Sequence, residues 1–218
     1  MVIVSVTTGT SSDIGGDGDL TPLSERCAAY SVTRTAATTK RGRIVSSHPG
    51  DLRAGPVELR IAPVGFRDDD AQALVAQVQA EYVELYGGPD DTPMDDSVFD
   101  PPAGAFFLGY LADVPVAMGG WRFRPDVERL GGRRTAEIKR MYVAPGGRRR
   151  GLARRMLEHL ERTARGSGAD VMVLETGTAQ PEAIALYESA GYELVEKFGH
   201  YSWSPKSRCY GKRLASER

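Results

Sequence analysis

The chain has 218 residues, 41% of them hydrophobic and 26% charged, with a formal net charge of −1. That composition fits one globular domain with a substantial core and excludes a surface adapted as a whole to nucleic acid. No apolar run approaches the roughly 20 residues that span a bilayer, and Met1 to Val6 lacks the length and basic flank of a signal peptide, so neither membrane insertion nor export is expected.

Residues 1–55 are rich in Thr, Ser, Gly and Asp, with Tyr30 as the only aromatic side chain. So little apolar surface cannot offset the entropy of ordering the chain, so a disordered arm is expected, with Met1 to Val6 as a candidate edge strand. Cys27 and Cys209 belong to no CxxC pair, and His48, His159 and His200 are scattered. Neither a disulfide framework nor a metal site is indicated, and a reducing cytoplasm is the expected setting.

A domain over 56–218 follows. Val57 to Ala62 alternates apolar and polar residues as a half-buried strand does. Asp68, Asp69 and Asp70 then suit a helix start, Leu74, Val78, Tyr82 and Leu85 recur at helical spacing, and Gly87-Gly88-Pro89 ends the run. Asp90 to Pro102 is an acidic loop without periodicity, long enough for a lid or a substrate loop. Ala105 to Leu111 and Val114 to Phe123 read as a hairpin turning at Ala112-Asp113, and Thr135 to Val143 reads as the next strand. In the following helix Leu152, Met156, Leu160 and Ala164 share a face, with Leu157 beside them, and Gly166-Ser167-Gly168 terminates it. Val171 to Leu174 has the continuous apolar character of a strand covered on both sides. A helix over Pro181 to Ala190 and late strands at Tyr192 to Val195 and Ser207 to Leu214 complete a mixed α/β sheet flanked by helices.

Chemistry concentrates between Lys139 and Leu157, which hold seven basic residues and no acidic one. A strand there joins a helix through a glycine-rich turn. A helix start leaves N–H groups unpaired and carries a partial positive charge, while Gly147 and Gly151 let a ligand approach the main chain, so the junction suits a phosphate. The alternative is that Arg148, Arg149, Arg150, Arg154 and Arg155 merely solvate a helix face. A nucleic-acid-binding role for the cluster is disfavoured by the near-neutral total charge.

Glu137 to Val143 (Glu-Ile-Lys-Arg-Met-Tyr-Val), Arg148 to Ala153 (Arg-Arg-Arg-Gly-Leu-Ala) and Ala185 to Tyr192 (Ala-Leu-Tyr-Glu-Ser-Ala-Gly-Tyr) together resemble the Gcn5-related N-acetyltransferases (GNAT). The turn matches that family's Arg/Gln-x-x-Gly-x-Gly/Ala pattern, and the likeness runs from about Val57 to Leu214. It implies the acyl-CoA N-acyltransferase fold and acetyl-CoA as co-substrate, without a metal. Arg148, Arg149, Arg150, Gly151, Leu152 and Ala153 would offer main-chain amides to the pyrophosphate, and the backbone of Met141, Tyr142 and Val143 would pair with the pantetheine arm.

By the same resemblance Glu137 stands where several members place a general base, the alternatives being a water it orders or a structural pairing with Lys139 or Arg140. Tyr187 matches the general acid for the leaving thiolate, the alternative being a packing tyrosine. Gln180 stands where many members carry an asparagine that helps hold the cofactor. His200, Tyr201 and Arg208, in the aromatic loop before the last strand, are candidate substrate contacts, while Cys209 reads as a buried strand cysteine. The expected activity is transfer of acetyl to a primary amine, on a small molecule or a protein, by direct attack in a ternary complex. The rival is an acyl-CoA-binding sensor without chemistry. A monomer or homodimer without membrane or nucleic-acid partners is expected.

Overall fold

The computed structural model describes residues 58–214. The expected N-terminal arm and the candidate strand at Met1 to Val6 lie outside them. The elements are β1 (Leu59–Val64), α1 (Asp69–Tyr86), β2 (Gly104–Leu111), β3 (Val114–Phe123), β4 (Thr135–Val143), α2 (Leu152–Gly166), β5 (Val171–Gly177), α3 (Pro181–Ser189), β6 (Glu193–Leu194) and β7 (Ser207–Arg213). Their order is the one the sequence predicts. Within the loop from Asp90 to Pro102 a 3-10 turn forms at Asp96–Phe99, its Ser97 amide held by the Asp95 carboxylate at 2.9 Å.

The seven strands form one sheet in the order β1-β2-β3-β4-β5-β7-β6. All neighbours are antiparallel except β4 and β5. Helices cover both faces. Leu152, Met156, Leu157, Leu160 and Ala164 of α2 pack with Ile138, Met141, Met172, Leu174 and Tyr187 in one core. On the other face Leu74, Val78 and Tyr82 of α1 pack with Phe99, Phe106, Met118 and Tyr142. Asp68 caps α1, accepting hydrogen bonds from the amides of Asp70 at 3.0 Å and Ala71 at 3.4 Å, and Gly87 closes it in the left-handed conformation with φ +83°.

Two irregularities of β4 shape the site. Met118 pairs with Tyr142 and Gly120 with Lys139, so Gly119 faces both Arg140 and Met141, a bulge in which Arg140 has φ +55°. Pairing of β4 with β5 ends at Ile138 opposite Leu174. Beyond that point both strands continue but separate, which leaves one backbone edge of Lys139 to Val143 free of a partner strand.

Candidate active site

The turn between β4 and α2 carries the features of an anion cradle. Arg149 has φ +59° and Gly151 has φ +73°, an alternation that turns successive amides toward one side. Gly151 occupies the N-cap position of α2, and no side chain caps the helix. Among the described residues the amides of Leu152, Ala153 and Arg154 have no acceptor, the first bond of the helix being from the Arg155 amide to the Gly151 carbonyl. A cavity of about 250 Å3 lies against these groups, lined by Val143, Gly147, Arg148, Arg149, Gly151, Leu152, Ala153, Arg154, Glu182 and Leu186. The donors present suit a pyrophosphate.

The five arginines do not act as a block. Arg148 folds back: its Nε donates to the Val143 carbonyl at 3.0 Å, and its guanidinium pairs with Glu81 of α1. The same Glu81 oxygen accepts the Tyr142 hydroxyl at 2.7 Å. Arg155 reaches the Leu59 carbonyl and Glu58, and Arg154 reaches the Ser189 hydroxyl. Arg149 and Arg150 stay exposed, with no hydrogen bond or ion pair among the described residues. They are the arginine side chains left for a ligand.

Met141 and Val143 point into the α2 core and Tyr142 into the α1 core, so their side chains anchor the strand while its edge stays open. Tyr187 is fully buried, its ring centroid 5.6 Å from that of Tyr192, edge to face, and 6.4 Å from that of Tyr210, tilted. Its hydroxyl has no hydrogen-bond partner among the described residues, and burial pushes its pKa up. Gln180 is 2% exposed, and its side chain braces Tyr86, donating from Nε2 to that hydroxyl at 3.0 Å while its Oε1 accepts from Thr176 at 3.4 Å.

Glu137 is enclosed by cations. Its Oε2 lies 2.9 Å from Arg122 and 2.7 Å from Arg124 of the β3 end, and its Oε1 lies 3.1 Å from Lys139. Burial by itself would raise its pKa, but the charges of Lys139, Arg122 and Arg124 outweigh that and hold it at about 2. A carboxylate held this way accepts a proton poorly. Of the two pairings the sequence suggests, Lys139 is present, whereas Arg140 reaches across the bulge to Asp90 at 3.0 Å.

A second cavity, of about 290 Å3, opens between the end of α1 and the loop before β7, and Glu175 lines it with Tyr82, Tyr86, Asp90, Tyr201 and Trp203 among others. Tyr201 donates to Asp90 at 3.0 Å or Asp91 at 2.6 Å, and His200 Nε2 lies 3.4 Å from Asp91, so the acidic loop and the aromatic loop meet over this cavity. Arg208 does not join them: it donates to the carbonyls of Pro205 and Ser207 in its own loop. Cys209 is buried, and burial pushes its thiol up, away from the reactive thiolate. Neither Glu81 nor Glu175 stands out in the sequence. The one signal for Glu175 is a carboxylate directly after the apolar run Val171 to Leu174.

A mixed sheet split between two parallel strands, with an uncapped helix start at the split, is the architecture of the acyl-CoA N-acyltransferase fold. The chain belongs to the acetyltransferase (GNAT) family, whose model matches residues 73–192. It is 42% identical over 78 residues to an IAA acetyltransferase of Azospirillum brasilense, covering 36% of this chain and 51% of that one. It is 28% identical over 140 residues to N-acetyltransferase family 8 member 2 of Rattus norvegicus, covering 64% and 52%. The chain thus spans about half the length of the curated relatives it matches. A solved structure from Klebsiella pneumoniae, described as an acyl-CoA N-acyltransferase, superposes with a TM-score of 0.60 at 26% identity, covering 73% of this chain and 99% of that one. Among the described residues no helix is long and apolar enough to cross a membrane, and no group of three or more His, Cys, Asp or Glu is placed to hold a metal ion.

Proposed function

We propose that residues 56–218 form an acetyl-CoA-dependent N-acetyltransferase in which a primary amine attacks the thioester directly while both substrates are bound. The observation that carries this reading is the open edge of β4 meeting the acceptor-free amides at the start of α2. Acetyl-CoA supplies the activated acetyl group. The amides of Arg149 to Ala153, with the free side chains of Arg149 and Arg150, hold its phosphates, whereas the Arg148 amide is taken by the Pro145 carbonyl at 3.3 Å. The edge of Met141, Tyr142 and Val143 holds the pantetheine arm, and Gln180 acts indirectly by fixing Tyr86 at the mouth of the split.

Tyr187 donates to the departing sulfur. Its hydroxyl stays protonated because burial raises its pKa, and it has no competing acceptor. Glu137 serves to lock Arg122, Arg124 and Lys139 on the sheet. Holding amine and thioester side by side makes the reaction effectively intramolecular, the largest contribution expected. The enzyme works in the cytoplasm as a monomer or homodimer, with His200 and Tyr201 near the acceptor.

Purified protein incubated with acetyl-CoA and an amine panel, read by free-thiol release, tests this. Amine-dependent thiol release is expected. Acetyl-CoA binding by calorimetry without thiol release from any amine would establish the sensor instead.

A further inference from the structure

Glu175 is the first residue of β5 past the last β4–β5 pair, at the point where the strands part, and it is 1% exposed. One of its oxygens, Oε1, accepts the Ser207 hydroxyl at 2.6 Å. The other, Oε2, is buried without a hydrogen-bond partner among the described residues, and the side chain lines the 290 Å3 cavity. A buried acceptor left unpaired is destabilising, more so when charged, so it marks a place where a donor belongs. Glu137 sits two residues inside the zipped part of the split, opposite Val173, with three cations already around it.

The rest of the cavity suits a cation on an apolar stem. Tyr82, Tyr86 and Tyr201 supply aromatic walls, Trp203 stands 77% exposed at the rim, and Asp90, Asp91 and Glu175 outnumber the single lysine, Lys206. Aromatic faces and carboxylates both favour an ammonium group. Gly199 brings the aromatic loop close enough that a Cβ there would lie 3.3 Å from Glu175 Oε2, so the loop closes over the free oxygen.

We propose that the acceptor is a cationic primary amine on a slender apolar arm, that its nitrogen docks on Glu175 Oε2, and that Glu175 takes its proton. This rests on the transferase reading above. The ammonium gives one proton to Glu175, which passes it to solvent. The freed lone pair forms the N–C bond to the acetyl carbonyl carbon. The C–S bond breaks with its electron pair on sulfur, Tyr187 protonates that sulfur, and the surplus proton on the new amide nitrogen restores Tyr187.

The test compares wild type with Glu175→Gln, using cadaverine and 6-aminohexanoate as amines. Wild type is expected to prefer cadaverine in kcat/KM, because the far end of the other probe is a carboxylate facing Asp91. Glu175→Gln is expected to lower kcat/KM for cadaverine about 100-fold or more while acetyl-CoA affinity stays within about twofold. Wild-type kcat/KM in a Glu175→Gln protein that binds acetyl-CoA overturns the assignment, and a preference for 6-aminohexanoate overturns the substrate class. Should Glu175→Gln fail to fold, Glu175→Asp decides by the same split. A wild-type protein that binds acetyl-CoA but acetylates no amine removes the transferase reading itself, an outcome distinct from an active enzyme indifferent to Glu175.

Discussion

Removing one oxygen from Tyr187 should move stability and turnover in opposite directions. The hydroxyl is buried with no partner, so Tyr187→Phe deletes no hydrogen bond and ends the cost of keeping a polar atom dry. Mutational data put that cost at about 1–3 kcal/mol. The ring contacts with Tyr192 and Tyr210 do not involve the oxygen and persist. A gain of about 1 kcal/mol is expected, which for a chain of this size raises Tm by about 2–4 °C. Loss of a proton donor to the leaving sulfur should lower kcat by about 100-fold, with acetyl-CoA affinity unchanged. Scanning calorimetry measures the first effect, and thiol release with calorimetric titration measures the second. A Tm lowered by several degrees would mean that the hydroxyl has a structural partner, and wild-type kcat would remove Tyr187 from the chemistry; either result refutes the reasoning.

The remaining expectations concern charge and backbone. Glu137 has its folded pKa depressed from 4.5 to about 2, so its stabilisation is complete above about pH 4.5 and disappears as pH falls toward 2. Acid unfolding should therefore lose roughly 3 kcal/mol more in wild type than in Glu137→Gln across that window, while at pH 7 Glu137→Gln is less stable by about 3–5 kcal/mol, since Arg122 and Lys139 lose their counter-ion and Arg124 keeps only Asp126. Gly151→Asp adds a carboxylate where φ is +73° and a Cβ meets nothing within 4 Å; stability should change by no more than about 1 kcal/mol, while acetyl-CoA affinity falls at least tenfold by titration. Gly177→Ala drives a methyl group into the Tyr86 hydroxyl and should cost about 1–3 kcal/mol in urea unfolding, a loss that the double variant with Tyr86→Ala recovers in large part.

The elements were legible because each has its own period and punctuation. The helical spacing from Leu152 to Ala164, the glycines at Gly87 and Gly166, and the apolar run after Asp170 each specify structure within a dozen residues, and the structure follows them to within about two positions. Even so, the strand around Leu194 shrinks to two residues, Glu193 and Leu194 opposite Gly211 and Tyr210 of β7, with one further bond from the Val195 amide to the Cys209 carbonyl at 3.0 Å. The uncapped start of α2 was legible for the same reason, since a strand, a glycine turn and a helix start are contiguous.

Side-chain electrostatics were not, because they are settled by residues distant in sequence. Glu137 looks the same in sequence whether its neighbours leave it free or surround it, and the arginines that surround it come from 15 residues away on β3 and 13 residues away just past its end. Glu175 is oriented by Ser207, 32 residues on, and Arg148 is withdrawn from the turn by Glu81, 67 residues back. The pattern of pairing therefore separates two carboxylates of one buried sheet face by function. The one met by three cations has its charge balanced, so protonating it would break an existing ion-pair network. The one met by a single hydroxyl still has an oxygen available, at the place where β4 and β5 part, and an incoming ammonium ion supplies what the protein leaves out.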